Sequence, residues 1–294
     1  MEFKLKIGWI GLGHMGLILA KNLHEAGYDI KVWNRTVSKA RESGLPYEEN
    51  LIKLIKERDI IITMLFGSQS SEEVYQEIVN SGANLKGKIF IDLTTIHPET
   101  ARKIAELLIS NGAEFIEAPV IGSVIPAQNK ELIILISGDR EIFEKIEDVF
   151  KNFGKDIFYM GDYGKASTMK LINNAVLGSM MVVLSEGILF GKKAGIPLDT
   201  VVQILEKGAG NSGLLKAKKE KILKNDYSTQ FSLALLHKDI CYAQDIAKKL
   251  NFPAIFTGQS LNLFSSARAN NLEEKDFSAI IEIYKKLSNI EEAS

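Results

Sequence analysis

Lys170, Asn173 and Asn174 stand together on an apolar stretch of helical character, at a spacing that turns an amine and a carboxamide toward one spot. Side chains three or four residues apart share a helix face. An ammonium beside a carboxamide can hold a polarised oxygen and hand it a proton. Aliphatic neighbours such as Leu171 and Ile172 would desolvate the amine and lower its pKa toward the range useful for general acid/base work. The run Gly161-Asp162-Tyr163-Gly164 reads as the turn that opens this helix. A lysine snorkelling off a core helix has the same local pattern, so the choice between the two readings falls to residues upstream.

Those residues begin at the amino terminus. An aliphatic run over 4–10 reads as a buried strand and leads directly into Gly11-Leu12-Gly13-His14-Met15-Gly16, followed by helical apolar spacing that ends at Gly27. This is G-x-G-x-x-G between a strand and a helix, the context in which the motif binds a dinucleotide. Gly11 allows the tight turn, Gly13 lets the backbone approach a pyrophosphate, and Gly16 lets helix pack on strand. His14 reads as a spacer near the phosphates. The next strand, 29–33, ends in Asn34-Arg35-Thr36, with no carboxylate for a ribose 2′-hydroxyl and one positive charge suited to a 2′-phosphate. NADP(H) is therefore the expected cofactor, with NAD(H) as the alternative. Met64 and Leu65, at the end of the third strand, are counted with the cofactor-binding residues.

Around these residues the chain must supply a sheet and a helical layer. Strand patterns over 60–65, 88–93, 114–117 and 132–137, with a last one near Ile157, alternate with helical patterns over 98–110 and 140–153, and 66–71 reads as a polar loop. Such alternation predicts an α/β fold, an open and mostly parallel, doubly wound Rossmann-type domain. Beyond about residue 163 only helices are expected: a long one from 165 toward 194, then 198–207, 239–250, 254–270 and 277–287. The predicted domains are 1–163 and an all-α domain over 164–294, with Lys170 just past the boundary. The long helix is apolar on nearly every face, which predicts burial against another subunit, as a homodimer or homotetramer.

Composition narrows the classes. The 294 residues suffice for two cores, and a formal net charge of -1 gives no reason to expect nucleic acid or a membrane surface. A single cysteine, Cys241, suits the cytoplasm. Lys4 and Lys6 break any signal-peptide pattern. The most apolar stretch, 176–190, holds Ser185, Glu186 and two glycines and reads as too short to cross a bilayer. His24, His97 and His237 have no spacing that predicts a metal site and are read as structural.

Four segments taken together resemble the β-hydroxyacid dehydrogenase family, which includes 3-hydroxyisobutyrate dehydrogenases and glyoxylate/succinic semialdehyde reductases. They are the glycine motif with Ala20, Asn22, Leu23 and Gly27; Asp92-Leu93-Thr94-Thr95 with Pro98; Glu117-Ala118-Pro119-Val120-Ile121-Gly122-Ser123 with Pro126-Ala127; and Lys170 with Asn173-Asn174, reinforced by Lys238-Asp239. The Gly122-Ser123, Pro126-Ala127 and 132–135 residues look closest to the glyoxylate/succinic semialdehyde reductase branch, which prefers NADPH. The resemblance implies hydride transfer between NADP(H) and a small carboxylated aldehyde or hydroxyacid, with Lys170 as proton donor and acceptor. It further implies that Thr95 and Lys238 meet the cofactor near its nicotinamide, that Asn174 and the backbone at Ile121, Gly122 and Ser123 hold substrate, and that Phe231 and Asp239 occupy pocket positions. Ile121 replaces a usual serine and Ala166 a usual glycine, while Thr94 for serine keeps a hydroxyl. The competing readings are an imine reductase on the same architecture, against which Lys170 counts, and a silent nucleotide-binding protein, against which the Lys170/Asn174 pair counts.

Overall fold

Alternation of side chains along the strands decides which residue faces which layer. The computed structural model describes residues 5–290, so the expected start of the first strand at Lys4 lies outside the described residues. The chain divides into two compact units, with the division after Lys170.

In the first unit the elements run β1 (Lys6–Ile10), α1 (His14–Glu25), β2 (Asp29–Trp33), α2 (Val37–Arg41), α3 (Leu51–Glu57), β3 (Ile60–Thr63), α4 (Ser68–Asn80), β4 (Ile89–Asp92), α5 (Pro98–Ser110), β5 (Glu114–Glu117), β6 (Val120–Ile121), α6 (Val124–Gln128), β7 (Leu132–Gly138), α7 (Arg140–Phe150) and β8 (Gly154–Gly161). The sheet order is β2-β1-β3-β4-β5-β7-β6, with β8 on β7. Pairs from β2 through β5 are parallel, whereas β7 lies antiparallel to β5 and β6, and β8 parallel to β7. Ile60, Ile62, Ile91 and Ile116 enter one apolar layer, with Leu19, Leu23, Val149 and Phe150 from α1 and α7. Their chain neighbours Ile61, Phe90 and Phe115 enter the other, with Leu54, Ile78 and Ile104 from α3, α4 and α5. Helices thus cover both faces, and the fold is the doubly wound Rossmann type.

The second unit is helical: the greater part of α8 (Lys165–Lys193), then α9 (Leu198–Lys207), α10 (Gly213–Lys224), α11 (Leu233–Lys249), α12 (Ile255–Ala269), a 3-10 turn (Phe277–Ile280) and α13 (Ile281–Leu287). Its core gathers Met181, Ile188, Leu215, Leu236, Ile240, Phe264 and Ile281.

Several boundaries differ from the sequence reading. Residues 68–71 of the expected loop over 66–71 open α4, whose first turn holds serine and glutamine rather than an apolar period. Lysine-rich α10 escaped because Lys218 and Lys221 stand on its buried face with Leu214, Leu215 and Ile222; Ser212 caps it by accepting the Leu215 N–H. α11 begins at Leu233, because Ser232 accepts the Leu235 N–H. Lys238-Asp239 therefore lies inside a helix rather than at its start. The length argument against a membrane span also fails: α8, at 29 residues, is long and apolar enough to cross one. Its polar bonds are those of a helix in a folded core, since Asn174, 1 % exposed, donates to Asp239 of α11 at 2.7 Å.

Candidate active site

The glycine turn is built by close approach. A Cβ on Gly11 would stand 2.2 Å from the Met64 carbonyl oxygen and one on Gly16 2.3 Å from that of Gly11, and Gly11 itself has φ +104°. At Gly13 nothing lies within 4 Å of a Cβ. The α1 N-terminus beside it has no side-chain cap and no acid in its first turn. Its amides and the open face at Gly13 fit a pyrophosphate, because a helix start left with free N–H groups favours an anion. Exposed Gly13 and His14 and half-buried Met15 line this turn, whereas Leu12 is buried. Asn34 ties it down: its Oδ1 accepts the Leu12 N–H at 2.9 Å and its Nδ2 donates to the Thr36 carbonyl at 3.0 Å. The Asn34 carboxamide is thus engaged by backbone, which leaves exposed Arg35 and Thr36 at this edge.

The ends of β3 and β4 form the same rim. Asp92 accepts the Thr94 N–H at 2.8 Å, and the Thr94 hydroxyl accepts the Leu65 N–H at 2.9 Å. Half-buried Met64, Leu65 and Thr95 flank this chain of bonds. The cap of α5 is His97, which accepts the Glu99 N–H, so neither threonine is spent on capping. Next along the sheet, Gly122 is exposed with φ +132°, a left-handed conformation that suits glycine. Half-buried Ile121 and Ser123 flank it, and Ser123 precedes α6 without capping it.

Lys170 lies in the second turn of α8, 8 % exposed. The start of α8 is held by the sheet: Glu117, at the end of β5, accepts the N–H groups of Gly164 and Ser167, and the Ser137 hydroxyl on β7 accepts that of Ala166. Ala166, the departure from glycine, is fully buried. Burial pushes the Glu117 carboxyl up, against the lowering effect of those bonds. Sequence reasoning quoted Glu117 within a motif but gave it no role; the signal was a carboxylate closing a strand directly after Phe115 and Ile116.

One turn after Lys170, Asn174 is fixed within the second unit by its 2.7 Å bond to Asp239 Oδ2, and Asn173 donates to the Asn174 Oδ1 at 3.1 Å. The other Asp239 oxygen lies 2.9 Å from the Lys238 ammonium, which also sits 5.2 Å from the centre of the Tyr242 ring. Phe231 packs edge-on to Phe277, with ring centres 5.7 Å apart. His237 does stand one turn from Cys241, with 3.7 Å between Sγ and Nδ1, but its nitrogens also meet Arg268 and Ser265. Among the described residues, no group of three or more His, Cys, Asp or Glu could hold a metal ion.

Comparison with known proteins places the chain in a family. Residues 6–161 match a family model described as the NAD binding domain of 6-phosphogluconate dehydrogenase, and residues 164–284 one described as the NAD-binding domain of NADP-dependent 3-hydroxyisobutyrate dehydrogenase. The chain belongs to the β-hydroxyacid dehydrogenase family. Within that family it is 35 % identical to glyoxylate/succinic semialdehyde reductase 1 of Arabidopsis thaliana, over 96 % of this chain and 99 % of the relative. It is 31 % identical to 2-(hydroxymethyl)glutarate dehydrogenase of Eubacterium barkeri, over 99 % and 98 %. The fold matches Mycobacterium tuberculosis 3-hydroxyisobutyrate dehydrogenase with a TM-score of 0.86 at 24 % identity, covering 96 % of this chain and all of that one. As a family member the chain is an NAD(P)-dependent dehydrogenase or reductase.

Proposed function

We propose that this β-hydroxyacid dehydrogenase interconverts a small carboxylated aldehyde and its hydroxyacid, of the glyoxylate, succinic semialdehyde or 3-hydroxyisobutyrate class, with NADP(H) in preference to NAD(H) and Lys170 as general acid/base. The observation that carries the reading is a buried amine at Lys170 one helical turn from the buried, oriented carboxamide of Asn174. The names of the two curated relatives support the substrate class. When bound, the nicotinamide supplies or accepts the hydride.

The chain's own residues do the rest. In reduction the Lys170 ammonium meets the carbonyl oxygen, offsets the charge that develops there and gives up a proton; in oxidation the amine takes it back. Asn174 holds the same oxygen, and Asp239 keeps its carboxamide turned the right way. Backbone N–H groups at Ile121, Gly122 and Ser123, with the Ser123 hydroxyl, hold the substrate carboxylate. Ile121 makes this pocket less polar than serine would and favours substrates larger than glyoxylate. Phe231 forms an apolar wall, and Thr95 and Lys238 steady the nicotinamide end of the cofactor. Gly11, Leu12, Gly13, His14, Met15 and Gly16 cradle the pyrophosphate, with Met64 and Leu65 beside it. Since Asn34 is bound to the glycine turn, Arg35 and Thr36 take the 2′-phosphate. One free cysteine and a dependence on NADPH suit a cytoplasmic setting.

Two measurements test this. Steady-state rates with glyoxylate and with succinic, methylmalonate and tartronate semialdehydes, each with NADPH and NADH, should show activity with carboxylated aldehydes and a preference for NADPH. Lys170→Ala should keep NADPH affinity near normal and lose turnover by roughly two to four orders of magnitude. Wild-type turnover in that variant, or NADPH oxidation with cyclic imines but with none of the aldehydes, would overturn the reading.

A further inference from the structure

A buried carboxylate wires the helix that carries Lys170 to the strand that leads into the 121–123 loop. Glu117 is 1 % exposed and accepts the Gly164 N–H at 2.6 Å as well as the Ser167 N–H. These belong to the residue that precedes α8 and to the third residue of the helix. Between them, the Ala166 N–H donates to Ser137 Oγ at 3.1 Å, and the Tyr163 hydroxyl donates to the Phe115 carbonyl of β5 at 2.9 Å. The donors that a helix leaves unmet at its start are thus met from two adjacent strands. A serine just ahead of the helix would cap it locally, without burying a charge. The carboxylate does something a local cap cannot, since two bonds within one turn stop the helix from sliding or rotating against β5. Glu117 is also only a few residues from Ile121, Gly122 and Ser123, and Lys170 is only three residues past Ser167.

We propose that Glu117 is a positioning residue, which fixes the Lys170 amine relative to the loop at 121–123 by holding the first turn of α8 on the end of β5. The inference rests on Lys170 being the proton donor. Displacement of a reacting group by about 1 Å lowers rate by about a hundredfold, so the loss of one of the two bonds should be visible in turnover.

Glu117→Gln keeps the shape and one acceptor but sets an amide N–H against one of the two backbone donors. The expected result is near-normal NADPH affinity, faster hydrogen exchange at the amides of 164–167, and a kcat about ten to a hundred times lower, with KM changed far less. In a Lys170→Ala background the same substitution should lower turnover no further, because the group it positions is gone. Ser137→Ala, which removes the acceptor for the Ala166 N–H, should act in the same direction and more weakly, and it carries the test if Glu117→Gln does not fold. Wild-type kcat in Glu117→Gln, or in Ser137→Ala where that variant stands in, would overturn the proposal; so would an equal loss in both backgrounds. Wild-type turnover in Lys170→Ala alone would overturn the proton-donor reading and this inference with it, and that variant is scored separately.

Discussion

Asp92 shows how one side chain can hold a rim together and leave a trace in stability. It is 1 % exposed, and its bond to the Thr94 N–H begins the chain of contacts that reaches Leu65. Burial pushes its carboxyl up to about 6, against the bonds that favour the charge. The folded protein therefore holds this proton more tightly than the unfolded chain does. The stability that follows is complete below the ordinary carboxylate pKa of about 4 and is lost as pH rises through about 6. Asp92→Asn should remove that dependence. Relative to the variant, the wild type should lose on the order of 2 kcal/mol between pH ~4 and pH ~7 in urea unfolding. A difference that stays flat with pH would refute a raised Asp92. At this scale Gly11 and Gly16 were legible, because each answers a local steric demand. The engagement of Asn34 was not, since its partner Leu12 is distant in sequence and nothing in the Asn34-Arg35-Thr36 triplet names it.

Among the elements, α1 does more than present amides to an anion. Asn22, 6 % exposed, donates from its underside to the Ala127 carbonyl of α6 at 3.0 Å. The helix that opens the dinucleotide site thereby holds the short helix that follows Ile121, Gly122 and Ser123. Asn22→Leu would strip the Ala127 carbonyl of its side-chain donor and leave it the longer bond from the Lys130 N–H at 3.3 Å, at a loss of about 1 kcal/mol. The loop should loosen with it, so the expected outcome is a lower urea midpoint and a KM for carboxylated aldehydes raised roughly tenfold or less, with NADPH affinity nearly unchanged. An unaltered KM would uncouple the loop from α1. Strands were legible as elements because buried β-branched runs leave little choice. α4 and α10 were not, because α4 opens on a polar turn and the buried face of α10 is broken by Lys218 and Lys221.

At the scale of the whole molecule, α8 remains partly uncovered. Met169, Val176, Val183 and Phe190 recur every seven residues along it and are 37 %, 54 %, 65 % and 75 % exposed. A seam with that repeat packs well against another helix, and monomeric proteins rarely leave so long an apolar row in water. We propose that a second copy of the chain covers it, in a homodimer or homotetramer. Sedimentation should report an assembly at micromolar concentration, and Val183→Glu should weaken it at least tenfold while leaving the α8 start and its bonds to Glu117 intact. A wild-type monomer at all concentrations would sink the proposal.

Sequence by itself determined the α/β class, the order of the main strands, the dinucleotide turn and the family, because each of these rests on local periodicity or on contiguous motifs. It also brought Lys170 and Asn174 to one helix face, since a single helix fixes that relation. Tertiary structure alone decided what surrounds them: that Glu117 and Ser137 seat the first turn of α8, and that Asp239 orients Asn174. Each of these is a bond between residues about thirty or more positions apart, and no pattern along the chain specifies which distant acceptor a given N–H will find.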